Sequence, residues 1–196
     1  SLTAATGAIG ATGLNASIDT DVTSLRAATP GNGGIFINEV DTAANGLALD
    51  TVNAGSGNVE LVSARAITDN AGDALINVTG ANVFITATAG GIGATGTNGQ
   101  IETDVIALTA SASGAGGGVF LNEIDTVTLD GVSLNTVNAG TGSVEIFSAR
   151  AISDNNLDAA INITAADLIL SAALESIGAA GTSGQLETDV ASFTGT

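Results

Sequence analysis

Residues Thr51–Asn70 read TVNAGSGNVELVSARAITDN, and Thr136–Asn155 read TVNAGTGSVEIFSARAISDN. Fifteen of the twenty positions are identical and the other five differ mildly, so the two stretches are copies of one unit with a period of about 85 residues. Working outward, Ile92–Val105 (IGATGTNGQIETDV) recurs as Ile177–Val190 (IGAAGTSGQLETDV) at the same offset, with an earlier version at Ile9–Val22. The repeat units are therefore about 9–91, 92–176 and a partial 177–196. No linker-like break separates them, and residues 1–196 read as a single continuous segment cut from a longer repeat array.

A period of that length fits one sandwich domain per copy or several solenoid coils per copy. A shorter period inside it decides between them. Polar, mostly acidic positions before apolar stretches recur at Asp21, Asp41, Glu60, Asn82, Asp104, Asp125, Glu145, Asp167 and Asp189, a mean spacing of about 21 residues. The stretches themselves (DVIALT, DTVTL, EIFS, DLILS, DVASFT) are short and β-branched, and are closed by Gly, Asn or Asp. Asn32-Gly33, Asn45-Gly46 and Asn98-Gly99 predict left-handed corners, and the one proline, Pro30, sits in a turn. The expected fold is all-β: a right-handed parallel β-helix (β-solenoid) with about 21 residues per coil and four coils per repeat. Nine such coils would form a rod on the order of 45 Å long. Tandem β-sandwich extender domains are the alternative. The internal spacing and the scarcity of aromatics count against them.

Composition narrows the chemistry. The 196 residues include no His, Cys, Met, Trp, Tyr or Lys, and the three basic residues are Arg26, Arg65 and Arg150. Imidazole catalysis, thiol nucleophiles, Schiff-base lysines, zinc fingers and disulfides are excluded. Gly occurs 27 times and Ala more often still, while Phe occurs only five times, so the core should be narrow and aliphatic. A net charge of −17 repels polyanions, so nucleic acid and anionic membranes are not expected partners. Mean hydropathy of +0.43 excludes disorder. No secretion signal opens the chain, and no segment reads as a membrane-spanning helix.

Stacked in register, like charges one strand spacing apart would repel by about 0.9 kcal/mol per pair in water. An acidic ladder can thus stand as a solvated face. The other reading is calcium, because Asp19/Asp21, Glu39/Asp41, Glu102/Asp104, Glu123/Asp125 and Glu187/Asp189 pair carboxylates at i and i+2, and hard oxygen clusters suit that ion. Neither an EF-hand loop nor the calcium β-roll nonapeptide is present. Paired acids also serve glycoside hydrolysis, but here the pairs recur in every copy whereas a catalytic centre is single, so no catalytic residue is assigned. Arg65 and Arg150 occupy equivalent positions and are expected to pair with Asp69 and Asp154 at a corner. Thr86-Ala-Thr88 and Thr126-Val-Thr128 have ice-binding spacing but do not recur at every coil. The triplets Ile35-Phe36-Ile37, Val83-Phe84-Ile85 and Val119-Phe120-Leu121 defeat strand alternation. They imply either a local irregularity or cover, or a lateral apolar stripe for rod bundling.

The motifs Gly-Gln-[Ile/Leu]-Glu-Thr-Asp-Val, Gly-Gly-[Ile/Val]-Phe-[Ile/Leu]-Asn-Glu-[Val/Ile]-Asp and Val-Glu-[Leu/Ile]-x-Ser-Ala-Arg-Ala-Ile-[Thr/Ser]-Asp cover nearly the whole chain. They resemble the repeat region of large secreted bacterial surface proteins of the filamentous-haemagglutinin-type adhesin family. The resemblance implies right-handed parallel β-helices and an extracellular or cell-surface location. The expected role is a structural or interaction segment of a fibre or adhesin that forms a rigid rod. Its partners would be neighbouring repeats, other copies of the chain, or surface glycans. A calcium- or glycan-binding surface module is the alternative function, with calcium the one cofactor in view.

Overall fold

The computed structural model describes residues 1–13, 15–73, 75–126, 130–157 and 160–196. Among these, regular structure is β-strand apart from one 3-10 turn at Thr182–Gly184, and every strand pairing is parallel. Two ladders of strands alternate along the chain, each turn contributing one pass to each ladder. In the first, Leu47 pairs Ile67, then Ile92, Val119, Val144, Leu168 and Phe193 in succession. In the second, Ile18 pairs Ile37, then Leu61, Ile85, Ala110, Val137, Ile163 and Thr188. Most of these side chains belong to one continuous aliphatic cluster. Long strands such as Val78–Ala87, Ile101–Ala112 and Ile163–Ala172 turn a corner and belong to both ladders.

The parallel solenoid expected from the sequence is present, but its coil is longer than the acidic spacing implies. Leu2, Ala27, Val52, Val78, Thr103, Glu123, Ser148 and Ala172 follow one another in register, seven steps that average roughly 24 residues per turn. At about 4.8 Å per step those turns rise roughly 34 Å, less than the rod of about 45 Å expected. The acidic spacing misled because it mixes unlike positions. Glu60 lies mid-strand between Phe36 and Phe84, and Glu145 between Phe120 and Ile169. Asp41 and Asp125 instead occupy left-handed turns beyond a strand end, with φ of +50° and +56°. The marked acids therefore do not form one in-register ladder. Within strands, Asp19 faces Asn38, Glu102 faces Asn122, Asp104 faces Thr79, Asp167 faces Ser192 and Asp189 faces Thr164.

Each copy spans seven strand passes, three and a half turns where four were expected. Because seven is odd, equivalent strands of successive copies fall on opposite ladders. Ile35–Glu39 lies on the second ladder and its copy Val119–Glu123 on the first; Val59–Ser63 and Val144–Ser148 exchange in the same way. The corners stack tightly because they lack side chains. A Cβ at Gly57 would sit 2.6 Å from the Gly33 carbonyl, and at Gly142 closer still to that of Gly117.

The Phe triplets obey alternation after all. Ile35 and Ile37 point inward at 0% exposure and Phe36 outward, yet it is covered and only 8% exposed; Phe84 on the same ladder is 42% exposed and Phe120 is half-buried. Asn32 takes its left-handed conformation and Gly46 provides the one expected at Asn45-Gly46, but in the loop holding Asn98-Gly99 that role falls to Gly96. Val127 and Thr128 of the second threonine pair, and Val127 to Leu129 of the expected DTVTL strand, lie outside the described residues.

Candidate functional site

The densest polar chemistry lies where Ile101–Ala112 meets Val119–Glu123. Val119, Leu121 and Glu123 alternate inward, so Glu123 enters the end of the aliphatic core at 1% exposure. Its Oε2 accepts from the Thr103 hydroxyl at 2.7 Å and its Oε1 from the Val105 N–H at 3.0 Å. Burial pushes the Glu123 carboxyl up to about 8, with the Asp104 and Asp125 charges adding to it and the two hydrogen bonds opposing. The first copy repeats the clamp: Glu39 Oε2 accepts from Thr20 at 2.5 Å and Oε1 from the Val22 N–H at 2.9 Å.

Around Glu123 stand two further acids. Asp104 Oδ2 accepts from the Thr126 hydroxyl at 2.6 Å and its N–H at 3.3 Å, and Asp125 Oδ1 accepts the Asp130 N–H at 3.1 Å. Arg150 Nε lies 2.9 Å from Asp125 Oδ2, while its Nη1 meets Glu175 Oε1 at 3.0 Å. In the first copy Asp21 accepts from the Thr42 hydroxyl, Asp41 from the Asn45 and Gly46 N–H groups, and Arg65 Nε lies 3.2 Å from Asp41 Oδ2. The expected pairing of the arginines with Asp69 and Asp154 is thus corrected: each arginine reaches back about one turn. The local carboxylates are already engaged. Asp69 and Asp154 accept from backbone N–H groups and from the side-chain amides of Asn77 and Asn162.

Those asparagines were missed in the sequence. Asn77 is fully buried; its Nδ2 donates to Leu49 O at 3.0 Å and Asp69 Oδ1 at 2.8 Å, and its Oδ1 accepts the Glu102 N–H at 2.8 Å. Asn162 makes the same three bonds to Leu134 O, Asp154 Oδ1 and the Glu187 N–H. A signal did exist: both sit between aliphatic residues, Ile76-Asn77-Val78 and Ile161-Asn162-Ile163, at the repeat offset. Glu102 lies beneath this loop at 1% exposure; burial, then the charges of Asp69 and Asp73, push its carboxyl up to about 7, opposed by backbone hydrogen bonding and the Asn122 amide.

Of the ten candidate calcium residues, Asp104, Glu123 and Asp125 come together, with carboxylate oxygens within 4.8 Å of one another and all three buried. Among the described residues no other trio does so. Glu39 and Asp41 are buried but lie with an exposed Asp21, while Asp19 is exposed and accepts from Asn38. Glu102 is turned toward the asparagine loop, Glu187 is half-buried and Asp189 exposed. As a donor set the trio has the hard oxygens calcium takes, yet Thr103, Val105, Thr126 and Arg150 already engage it. What the arrangement accomplishes is mechanical: each clamp and each ion pair ties one turn to the next.

No protein family, no curated protein and no solved structure matches this chain.

Proposed function

We propose that this chain is a structural and interaction segment of an extracellular bacterial fibre or adhesin, a rigid rod lengthened by adding copies. Its supporting observation is the unbroken pair of apolar columns that run through every turn, each pass bonded to the next. A solenoid of this kind has no hinge between copies, so force along the axis is shared by the backbone ladder and the aliphatic core. The motif resemblance supplies the cell-surface setting. Duplicating residues 92–176 in place should lengthen the particle by about 17 Å, three and a half strand spacings, in small-angle scattering. A profile of two beads on a flexible link would sink the rod.

The second reading is calcium held by Asp104, Glu123 and Asp125, supported by the 4.8 Å grouping of their oxygens. It requires Arg150 to leave Asp125. Calorimetric titration with calcium decides it, since a binding heat and a raised Tm are needed and their absence removes it.

A further inference from the structure

Beneath the loop that carries Asp69, Asp73 and Asn77 lies a carboxylate that the surrounding turns leave unsatisfied. Glu102 is 1% exposed, and neither of its side-chain oxygens has a hydrogen-bond partner. The Asn122 amide, opposite it in the ladder, is near enough to favour the charged form but falls short of bonding geometry. One side chain ties Glu102 to the loop: Asn77 Oδ1 accepts the Glu102 N–H while its Nδ2 donates to Asp69 Oδ1. Among the described residues Asp69 Oδ2 accepts a single bond, from the Gly72 N–H at 3.0 Å, and Asp73 stands exposed on the loop. The charges of Asp69 and Asp73 both act on Glu102. No counter-charge answers them: the chain has no Lys or His, and among the described residues no arginine pairs with any of the three.

A buried carboxylate with both oxygens unsatisfied is costly, and such a group is retained where an ion or ordered water completes it. The chain carries this one in duplicate. DNAGDALIN at 69–77 recurs as DNNLDAAIN at 154–162, and Glu102 recurs as Glu187, all at the repeat offset. Ala71, Gly72 and Leu75 differ between the copies, whereas both acids of the loop, its asparagine and the glutamate do not. We infer that Asp69, Asp73 and Glu102 form a calcium site that pins this loop to the following turn, separate from the trio of Asp104, Glu123 and Asp125. Calcium takes about six to eight hard oxygens in an adaptable shell. Both Glu102 oxygens, Asp69 Oδ2 and the Asp73 carboxylate drawn in from the exposed side supply part of that shell, and water supplies the rest. The contrast with the trio favours this loop, because Thr103, Val105, Thr126 and Arg150 already engage the trio while nothing bonds to the Glu102 oxygens. Magnesium, which demands near-ideal octahedral geometry and gives up its water reluctantly, fits such an adaptable set poorly.

The test titrates calcium chloride into the full chain, with heat and amide chemical shifts as readouts, in about 0.15 M sodium chloride to screen diffuse attraction to a charge of −17. A saturable heat is expected, with the largest shifts at the Asp69, Asp73 and Glu102 amides, and magnesium chloride should bind at least tenfold more weakly. Asp73→Asn, a change at an exposed position that leaves the core intact, should weaken calcium binding at least tenfold, and Glu102→Gln should abolish these shifts. Glu123→Gln should leave them in place, which separates this loop from the trio. No heat, shifts confined to the trio, equal binding of magnesium, an unchanged response in the Asp73→Asn chain, or loss of the shifts in the Glu123→Gln chain overturns the inference. The rod itself is tested separately by scattering, so failure here leaves that reading standing.

Discussion

The hydroxyl of Thr103 and the carboxylate of Glu123, 20 residues apart in sequence, meet at 2.7 Å inside the protein, one turn stacked on the next. A carboxylate at the end of an aliphatic column is costly to bury, and it is retained here with two donors aimed at it. Replacing Glu123 by Ala strands a buried hydroxyl and a buried N–H, so a loss of about 2–4 kcal/mol in urea unfolding is expected. Thr103→Val, which removes one of the two donors to Glu123, should cost about 1 kcal/mol.

The pH dependence should run opposite to that of a salt-bridged carboxylate. Glu123 and Glu102 hold their protons to about 8 and about 7 in the folded chain, above their ordinary value of 4.5. The folded state therefore binds more protons than the unfolded one between these limits, and stability falls as pH rises from about 4.5 to 8 before levelling. Each group can contribute a slope of at most about 1.4 kcal/mol per pH unit. Glu123→Gln, which keeps a neutral side chain in place, should flatten the upper part of the curve in unfolding measurements from about pH 5 to 9. An unchanged curve would show that Glu123 is not the group titrating.

The two arginines offer an internal comparison. Arg150, the more sheltered of the two, bridges a buried Asp125 to Glu175, while Arg65 is half exposed over an equally buried Asp41; both aspartates also accept backbone N–H groups. Arg150→Ala leaves a buried carboxylate without its counter-charge and should cost about 3 kcal/mol. Arg65→Ala should cost about 1 kcal/mol because solvent screens the pair. Equal losses would contradict this ranking.

Asn77 and Asn162 each satisfy three groups with one side chain. Asn77→Ala should destabilise by about 3 kcal/mol, since the buried Glu102 N–H loses its acceptor, Asp69 loses an amide donor and the Leu49 carbonyl is left with the Asn70 N–H alone. Hydrogen exchange should show the Glu102 amide unprotected in that variant and protected in the parent. Asn77→Asp, which keeps the acceptor but places a second carboxylate beside Asp69, should be no milder than the Ala change.

Much of the fold is legible in the sequence alone. Period-2 alternation in Val59–Ser63 and Val144–Ser148, together with their duplication at a fixed offset, leaves parallel stacking as the natural way to bury the aliphatic sides. The coil length was not legible from the acids, because Glu60 lies mid-strand while Asp41 lies in a turn, and a mean over unlike positions carries no rise per turn. Of the candidate calcium residues, the sequence presented five equivalent pairs; the structure separates them by depth and by what the neighbouring turn supplies.

By itself the sequence determined the repeat, the strand-forming stretches, the aliphatic core and the charge, all properties that a chain carries locally or at a fixed offset. Only the tertiary structure decided that seven passes make one copy, so that Glu39 and Glu123 end on opposite ladders and Arg150 answers Asp125 instead of Asp154. Those outcomes depend on which residues lie one turn away. That distance is set by loop excursions and corner packing between strands, and local alternation does not encode it.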